Sequence, residues 1–250
     1  MIRTLGLSRE FGELTAVDRL DLDIPQGEFF AFLGPNGAGK TTTIKMLAGL
    51  LRPSAGTAVI AGHDIQREPE QAKRRISYVP DFPFLYDKLT PHEFLQFVGE
   101  VFDLPRGEIG DKRERLFAQL HLDAYRNQFI ENLSHGTRQR VVIASALLHD
   151  PEVIVIDEPM VGLDPTHARI VKDELKRRSR QGTTVFLSTH TLSVAEEVAD
   201  KIGIVSHGRL IAHGTVAELR ARSAQSGALE NVFLALISES GDEPQPGDAG

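Results

Sequence analysis

The chain has 250 residues, of which 41% are hydrophobic and 25% charged, the proportions of a soluble globular protein with room for a substantial core. A net charge of -7 argues against a protein that coats nucleic acid, and the lack of cysteine excludes disulfides and thiolate metal sites. Met1-Ile2-Arg3-Thr4-Leu5 lacks the apolar stretch of a signal peptide, and the best apolar run, Val141 to Leu148, falls far short of the ~20 residues that cross a bilayer.

In chain order, Ile2 to Asp23 mixes short apolar stretches with turn residues and predicts strands. Pro25-Gln26-Gly27 is a turn, and Glu28-Phe29-Phe30-Ala31-Phe32-Leu33 reads as a short buried strand feeding Gly34 to Thr41. Thr42 to Leu50 has the pattern of a helix. Arg52-Pro53-Ser54-Ala55-Gly56 is a second turn-rich passage before a strand over 57–62, so a small β layer is expected beside an α/β core. Beyond Tyr78-Val79-Pro80 the periodicity becomes helical. Thr90-Pro91-His92-Glu93 predicts a helix start, with Thr as N-cap, proline first and Glu third. That helix is expected to end near Leu104-Pro105-Arg106-Gly107, and Asp111 with Glu114 to cap a second one. No strand is expected from about 88 to 150, which reads as a helical insertion.

Pro151 to Asp157 restarts the sheet with an unalternating apolar run, as a strand covered on both faces does. Asp164-Pro165 opens a helix that stops at Gln181-Gly182. Thr183 to Ser188 and Lys201 to Val205 are further strands, the latter joined through His207-Gly208 to Arg209-Leu210-Ile211-Ala212 as a hairpin. The expected layout is a domain over 1–222, a C-terminal helix over 223–237 and a disordered tail over 238–250, rich in Gly, Pro, Asp and Glu.

Two stretches carry chemistry. Gly34-Pro35-Asn36-Gly37-Ala38-Gly39-Lys40-Thr41, followed by Thr42, fits G-x-x-x-x-G-K-[ST] at every fixed position and sits between a strand and a helix. Such a turn aims backbone N–H groups and a helix dipole at one point, where a nucleoside triphosphate would bind. Lys40 would reach the β- and γ-phosphates, and the Thr41 hydroxyl would hold Mg²⁺. A glycine-rich turn that happens to end in Lys-Thr is the plain alternative. Val153 to Asp157, followed by Glu158, ends a run of β-formers in two carboxylates, placing them at the sheet edge where ligands bind. Asp157 can hold Mg²⁺, and Glu158, one residue on, can take a proton from an attacking water. An exposed Asp-Glu pair closing a strand would need no such role.

Together with Leu133-Ser134-His135-Gly136-Thr137, which enters the run from Val141, these motifs resemble the ATP-binding subunits of ABC transporters. The resemblance covers roughly Leu5 to Leu236. It implies a P-loop NTPase core with a mostly parallel sheet, an N-terminal antiparallel β subdomain and an inserted α-helical subdomain. The family's signature usually reads L-S-G-G-Q, so His135 and Thr137 are departures. It implies that Ser134 and Gly136 meet the γ-phosphate of ATP held by a second copy, head to tail. It also implies adenine stacking for Phe11, a place in an interface-crossing loop for Asp164 and a γ-phosphate contact for the switch residue His190. A core Phe, a helix N-cap and a solvated imidazole are the plain readings of those three. Asp81 stands where the family usually has Gln and is expected to remain an oxygen ligand of the metal.

The resemblance therefore implies an ATPase that takes ATP and Mg²⁺ and pairs with a second subunit. It would power a separately encoded membrane permease from the cytoplasmic face, without nucleic acid. Asp81 and Leu229-Glu230-Asn231-Val232-Phe233-Leu234 resemble export-type subunits. A soluble ABC-type ATPase acting on DNA, ribosomes or iron–sulfur assembly is the alternative, and it would lack the permease.

Overall fold

In the computed structural model, residues 1–82, 84–221 and 229–239 are described, without the side chains of 238 and 239. Two sheets organise them. Strands β1 (Ile2–Phe11), β2 (Leu14–Ile24), β4 (Ala55–Ile60) and β5 (His63–Asp64) form an antiparallel sheet in the order β2-β1-β4-β5. The second sheet runs β10-β9-β3-β8-β7-β6 and uses β3 (Phe29–Leu33), β6 (Ile76–Val79), β7 (Val153–Asp157), β8 (Thr184–Thr189), β9 (Lys201–Ser206) and β10 (Arg209–Gly214). Its pairs are parallel except at β10, which returns antiparallel to β9 through His207-Gly208, both at positive φ.

The unalternating apolar runs of β3, β7 and β8 follow from burial on both faces. Phe30, Phe32, Val155 and Phe186 face a core shared with the antiparallel sheet and with Ile44, Met46 and Leu47 of α1 (Lys40–Leu47). Phe29, Ile154, Ile156, Val185 and Leu187 face the helical layer instead. That layer contains α3 (Pro91–Val101), α4 (Arg106–Gln119), α5 (His135–Leu147) and α6 (Pro165–Arg180). No strand lies between β6 and β7 among the described residues.

Helix α3 starts with the expected capping box: Thr90 Oγ1 accepts from Glu93 N–H, and Glu93 accepts from Thr90 N–H. It ends at Val101, a turn before Leu104. The second expected helix start is wrong. Helix α4 begins at Arg106 because Pro105, at φ -60 and ψ 139, sets the chain's entry, and Asp111 and Glu114 fall inside it. Glu114 pairs with Arg126 at 2.6 Å instead of capping. The short helices α2 (Pro69–Arg75), α7 (Leu192–Val198) and α8 (Val216–Ala221) carry too few residues to show a period in the sequence. Helix α9 (Leu229–Glu239) packs Leu229 and Val232 beside Ala31, Leu33 and Ile202, and it takes Ser238 and Glu239 from the expected tail. Residues 222–228 of the expected helix and 240–250 of the tail lie outside the described residues.

Candidate active site

The loop at residues 34–39 crosses from β3 to α1 over close backbone neighbours. A Cβ at Gly34 would sit 2.4 Å from Val205 O, and one at Gly39, where φ is +98°, 2.3 Å from Ala16 O. Glycine is therefore required at both positions by contact with β9 and β2. Pro35 is half-buried, Ala38 buried, and Asn36 and Gly37 exposed at the crest. Helix α1 starts directly after Gly39 with no side-chain N-cap, so its first-turn N–H groups stay open to an anion. Thr41 is exposed on that first turn and Thr42 half-buried behind it.

Lys40 is only 6% exposed. Its ammonium donates to Gly34 O at 2.8 Å and Pro35 O at 3.0 Å, and stands 3.7 Å from Glu158 Oε1. Burial lowers its pKa, and the Glu158 and Asp157 carboxylates oppose that shift. The Lys40 charge is thus held over the loop by carbonyl dipoles and one carboxylate, contacts that a phosphate can replace.

β7 and β8 place the acidic pair. Asp157, 1% exposed, lies opposite Ser188 in the parallel register and accepts a hydrogen bond from its hydroxyl through Oδ1. Asp157 Oδ2 is buried with no hydrogen-bond partner among the described residues. A buried carboxylate oxygen left unpaired is costly unless a cation or an ordered water meets it, so this donor fits a divalent metal. Burial, with the charges of Asp157 and Asp81, pushes the nearby Tyr78 phenol up to about 12, as expected in a negative field. Among the described residues no group of three or more His, Asp and Glu gathers. The ion that fits here is one that keeps phosphate and water ligands, as Mg²⁺ does.

Glu158 leaves the strand in the left-handed region, at φ 45, with its N–H donating to Ser188 O at 3.2 Å. That backbone turn swings its side chain off the sheet edge. Its Oε1 accepts from His190 Nδ1 at 2.9 Å, which fixes the proton of His190 on Nδ1. His190 is exposed at the end of β8. Asn36, Asp81, Phe82, His135, Glu158, Val161, Gly162 and His190 line one open cavity of about 540 Å³. Asp81 is exposed there, and its Oδ1 accepts from the next residue's N–H at 2.8 Å. A larger hollow of about 870 Å³, between β1–β2 and β9–β10, is walled by charges such as the Lys201–Glu28 pair and contains no phosphate loop.

The other expected residues stand outside this cluster. Phe11, 45% exposed at the end of β1, has the Arg9 guanidinium 4.5 Å from its ring centroid, so one face is covered. Asp164 caps α6, accepting from Thr166 and His167 N–H and pairing with His167 Nδ1. Ser134 caps α5, accepting from Thr137 N–H at 3.3 Å. Thr137 Oγ1, 2.9 Å from Ser134 Oγ, accepts from the buried Arg140 guanidinium, which leaves the Ser134 hydroxyl proton able to point outward. Among the described residues no hydrogen bond joins Ser134 or Gly136 to residues 34–42.

Sequence reasoning missed Ser188 and the tie between Lys40 and Glu158. A serine closing the apolar run Val185-Phe186-Leu187 was the available signal for the first, since a buried hydroxyl at a strand end needs a partner.

Residues 17–161 match the family model described as ABC transporter. The chain belongs to the ABC transporter family of ATP-binding proteins. This ABC-type chain is 39% identical over 219 residues to the daunorubicin/doxorubicin resistance ATP-binding protein DrrA of Streptomyces peucetius, covering 88% of this chain and 66% of that protein. It is 38% identical over 214 residues to the Nod factor export ATP-binding protein I of Ralstonia nicotianae, covering 86% and 67%. The match thus spans about two thirds of either relative's length. A solved ATP-binding subunit of an ABC transporter superposes with a TM-score of 0.88 at 30% identity, covering 94% of this chain and 99% of that one. A dimeric post-hydrolysis ATP-binding cassette with ADP and Pi superposes with a TM-score of 0.78 at 25% identity, covering 86% and 98%.

Proposed function

We propose that this chain hydrolyses ATP as one half of a head-to-tail pair and drives export through a separately encoded membrane permease on the cytoplasmic face. The observation that carries this reading is the Lys40–Glu158–His190 cluster beside the unpaired Asp157 Oδ2. The loop N–H groups and Lys40 bind the β- and γ-phosphates, with Lys40 leaving the Gly34 and Pro35 carbonyls to do so. Thr41, Asp157 and Asp81 would hold Mg²⁺, which neutralises charge on the phosphates. Phe11 offers its uncovered face to the adenine.

Glu158 takes the proton of the attacking water, and His190 holds its carboxylate in line through Nδ1–H. Ser134, Gly136 and the N-terminus of α5 then come from the second copy to the γ-phosphate, and the loop at Asp164 crosses between copies. The separation of Ser134 from the own-chain loop supports this trans assembly, as do the dimeric relative and the resistance and export relatives. No helix among the described residues is long and apolar enough to cross a membrane, which fits a separate permease.

Removing a positioned base typically costs ~10²–10⁴-fold in rate. Glu158→Gln is therefore expected to bind ATP, turn over at least a hundredfold more slowly and run as an ATP-dependent dimer in size-exclusion chromatography. Parental turnover by that variant would refute the assignment.

A further inference from the structure

The helix starts at α5 and α6 are interlocked by two histidines and two glycines. The His135 ring lies over Gly162, whose added Cβ would be 3.3 Å from His135 Nε2. The His167 ring lies over Gly136, whose added Cβ would be 3.0 Å from His167 Nδ1. Each histidine ring thus stands against the other element's glycine, Gly136 being buried and Gly162 exposed. A side chain at 136 would crowd the His167 ring and make it shift by a few tenths of an ångström, independently of any ligand.

His135 adds a directed bond. Its Nε2 is 3.4 Å from Val161 O, and a carbonyl only accepts, so the proton is on Nε2. Val161 N–H in turn donates to Glu158 O at 3.2 Å. A path of two hydrogen bonds therefore runs from the residue beside Ser134, through the carbonyl and the N–H of Val161 on either side of its Cα, to the backbone of the base. Glu158 itself is held at a positive φ, where a non-glycine residue stays only if its surroundings hold it.

We propose that His135 is a positioning residue that ties the N-terminus of α5 to the turn carrying Glu158. Seating of Ser134 and Gly136 on the partner's nucleotide then sets the base of this chain's own site, so the two sites of a pair fire together. This rests on the head-to-tail reading above. The histidine that departs from the usual signature supplies the coupling, because a glycine at 135 has no side chain to reach Val161.

The test compares His135→Gln, whose amide places an N–H donor near the Nε2 position, with His135→Phe, which keeps the ring over Gly162 without a donor. His135→Phe is expected to lower kcat about fivefold, the equivalent of one neutral hydrogen bond, with KM for ATP unchanged and cooperativity in ATP reduced. His135→Gln is expected to stay within about twofold of the parent. Amide hydrogen exchange over residues 159–163 of the nucleotide-free protein should accelerate in His135→Phe and not in His135→Gln. Parental kcat and exchange in His135→Phe, or equal loss in both variants, would overturn the proposal. Glu158→Gln with ATP separates the two readings: if it does not dimerise, the head-to-tail reading fails, while the exchange measurement still judges the His135–Val161 tie.

Discussion

Ser188→Ala probes the link between the sheet and the metal position. Ser188 is fully buried, and among the described residues its hydroxyl supplies the only hydrogen bond to the Asp157 carboxylate, whose Oδ2 has none. Removing it leaves both carboxylate oxygens buried and unpaired. A hydrogen bond to a charged group is worth ~1.5–3 kcal/mol, so a loss of about 2 kcal/mol is expected in the nucleotide-free protein. For a domain of this size that lowers Tm by about 4–8 °C. Losing a group that orients a metal-binding carboxylate typically costs ~10–100-fold in metal affinity, so the Mg²⁺ concentration for half-maximal ATPase should rise by that factor. Saturating Mg²⁺ and ATP should recover part of the lost Tm, because the metal repairs the orphaned carboxylate. The assays are thermal unfolding with and without Mg²⁺-ATP, and ATPase activity against Mg²⁺. A Ser188→Ala protein with parental Tm and parental Mg²⁺ dependence would refute the reasoning.

Other changes read other parts of the site. Gly34→Ala places a Cβ 2.4 Å from Val205 O, an overpacking worth ~1–3 kcal/mol, whereas Gly37→Ala meets nothing within 4 Å and pays only for its φ of +83. Calorimetry and nucleotide titration should find Gly34→Ala the less stable and the weaker binder, and the reverse order would contradict the loop geometry. Phe11→Ala removes base stacking worth ~1–3 kcal/mol, so KM for ATP should rise about 5- to 150-fold with kcat nearly unchanged. A fall in kcat alone would move Phe11 out of the adenine site. His149 is stacked on Phe102 with ring centroids 3.8 Å apart, and burial depresses its pKa from 6.5 to about 4. The unfolded chain therefore binds this proton first, and stability is lost as pH falls from about 6.5 to about 4. At ~1.36 kcal/mol per tenfold change in proton affinity the loss reaches about 3 kcal/mol. Tm measured against pH should fall less steeply across that window in His149→Phe, and identical slopes would contradict the assignment.

The elements legible in the sequence were those whose signals are local. Thr90-Pro91-His92-Glu93 announces its helix because both bonds of the capping box lie within four residues. β7 and its closing carboxylates are legible because a strand covered on both faces needs an unbroken apolar run. Asp164-Pro165 and Gly182 likewise mark both ends of α6. The misplaced start of α4 shows where local reading stops: Asp111 and Glu114 have a capping spacing, yet Pro105 had already set the backbone. The contacts that shape the site join residues far apart in sequence. Ser188 to Asp157, His190 to Glu158 and His135 to Val161 are separated by 31, 32 and 26 positions, and only the sheet register and the α5–α6 packing bring them together. The family pattern named several of these residues in advance but could not say that Lys40 rests on the carbonyls of its own loop.

The central claim is that each complete site takes Lys40 from one copy and Ser134 from the other, and mixing two inactive variants tests it most directly. Lys40→Ala has no competent phosphate loop, and Ser134→Arg has no competent helix start for the partner. Each alone should be inactive. In an equal mixture half the dimers contain both chains, each with one intact site of two, so hydrolysis well above either component and at most about a quarter of the parental rate is predicted, any shortfall from a quarter reading the coupling between the two sites. A mixture as inactive as its components, with mixed dimers demonstrably formed, would contradict the account.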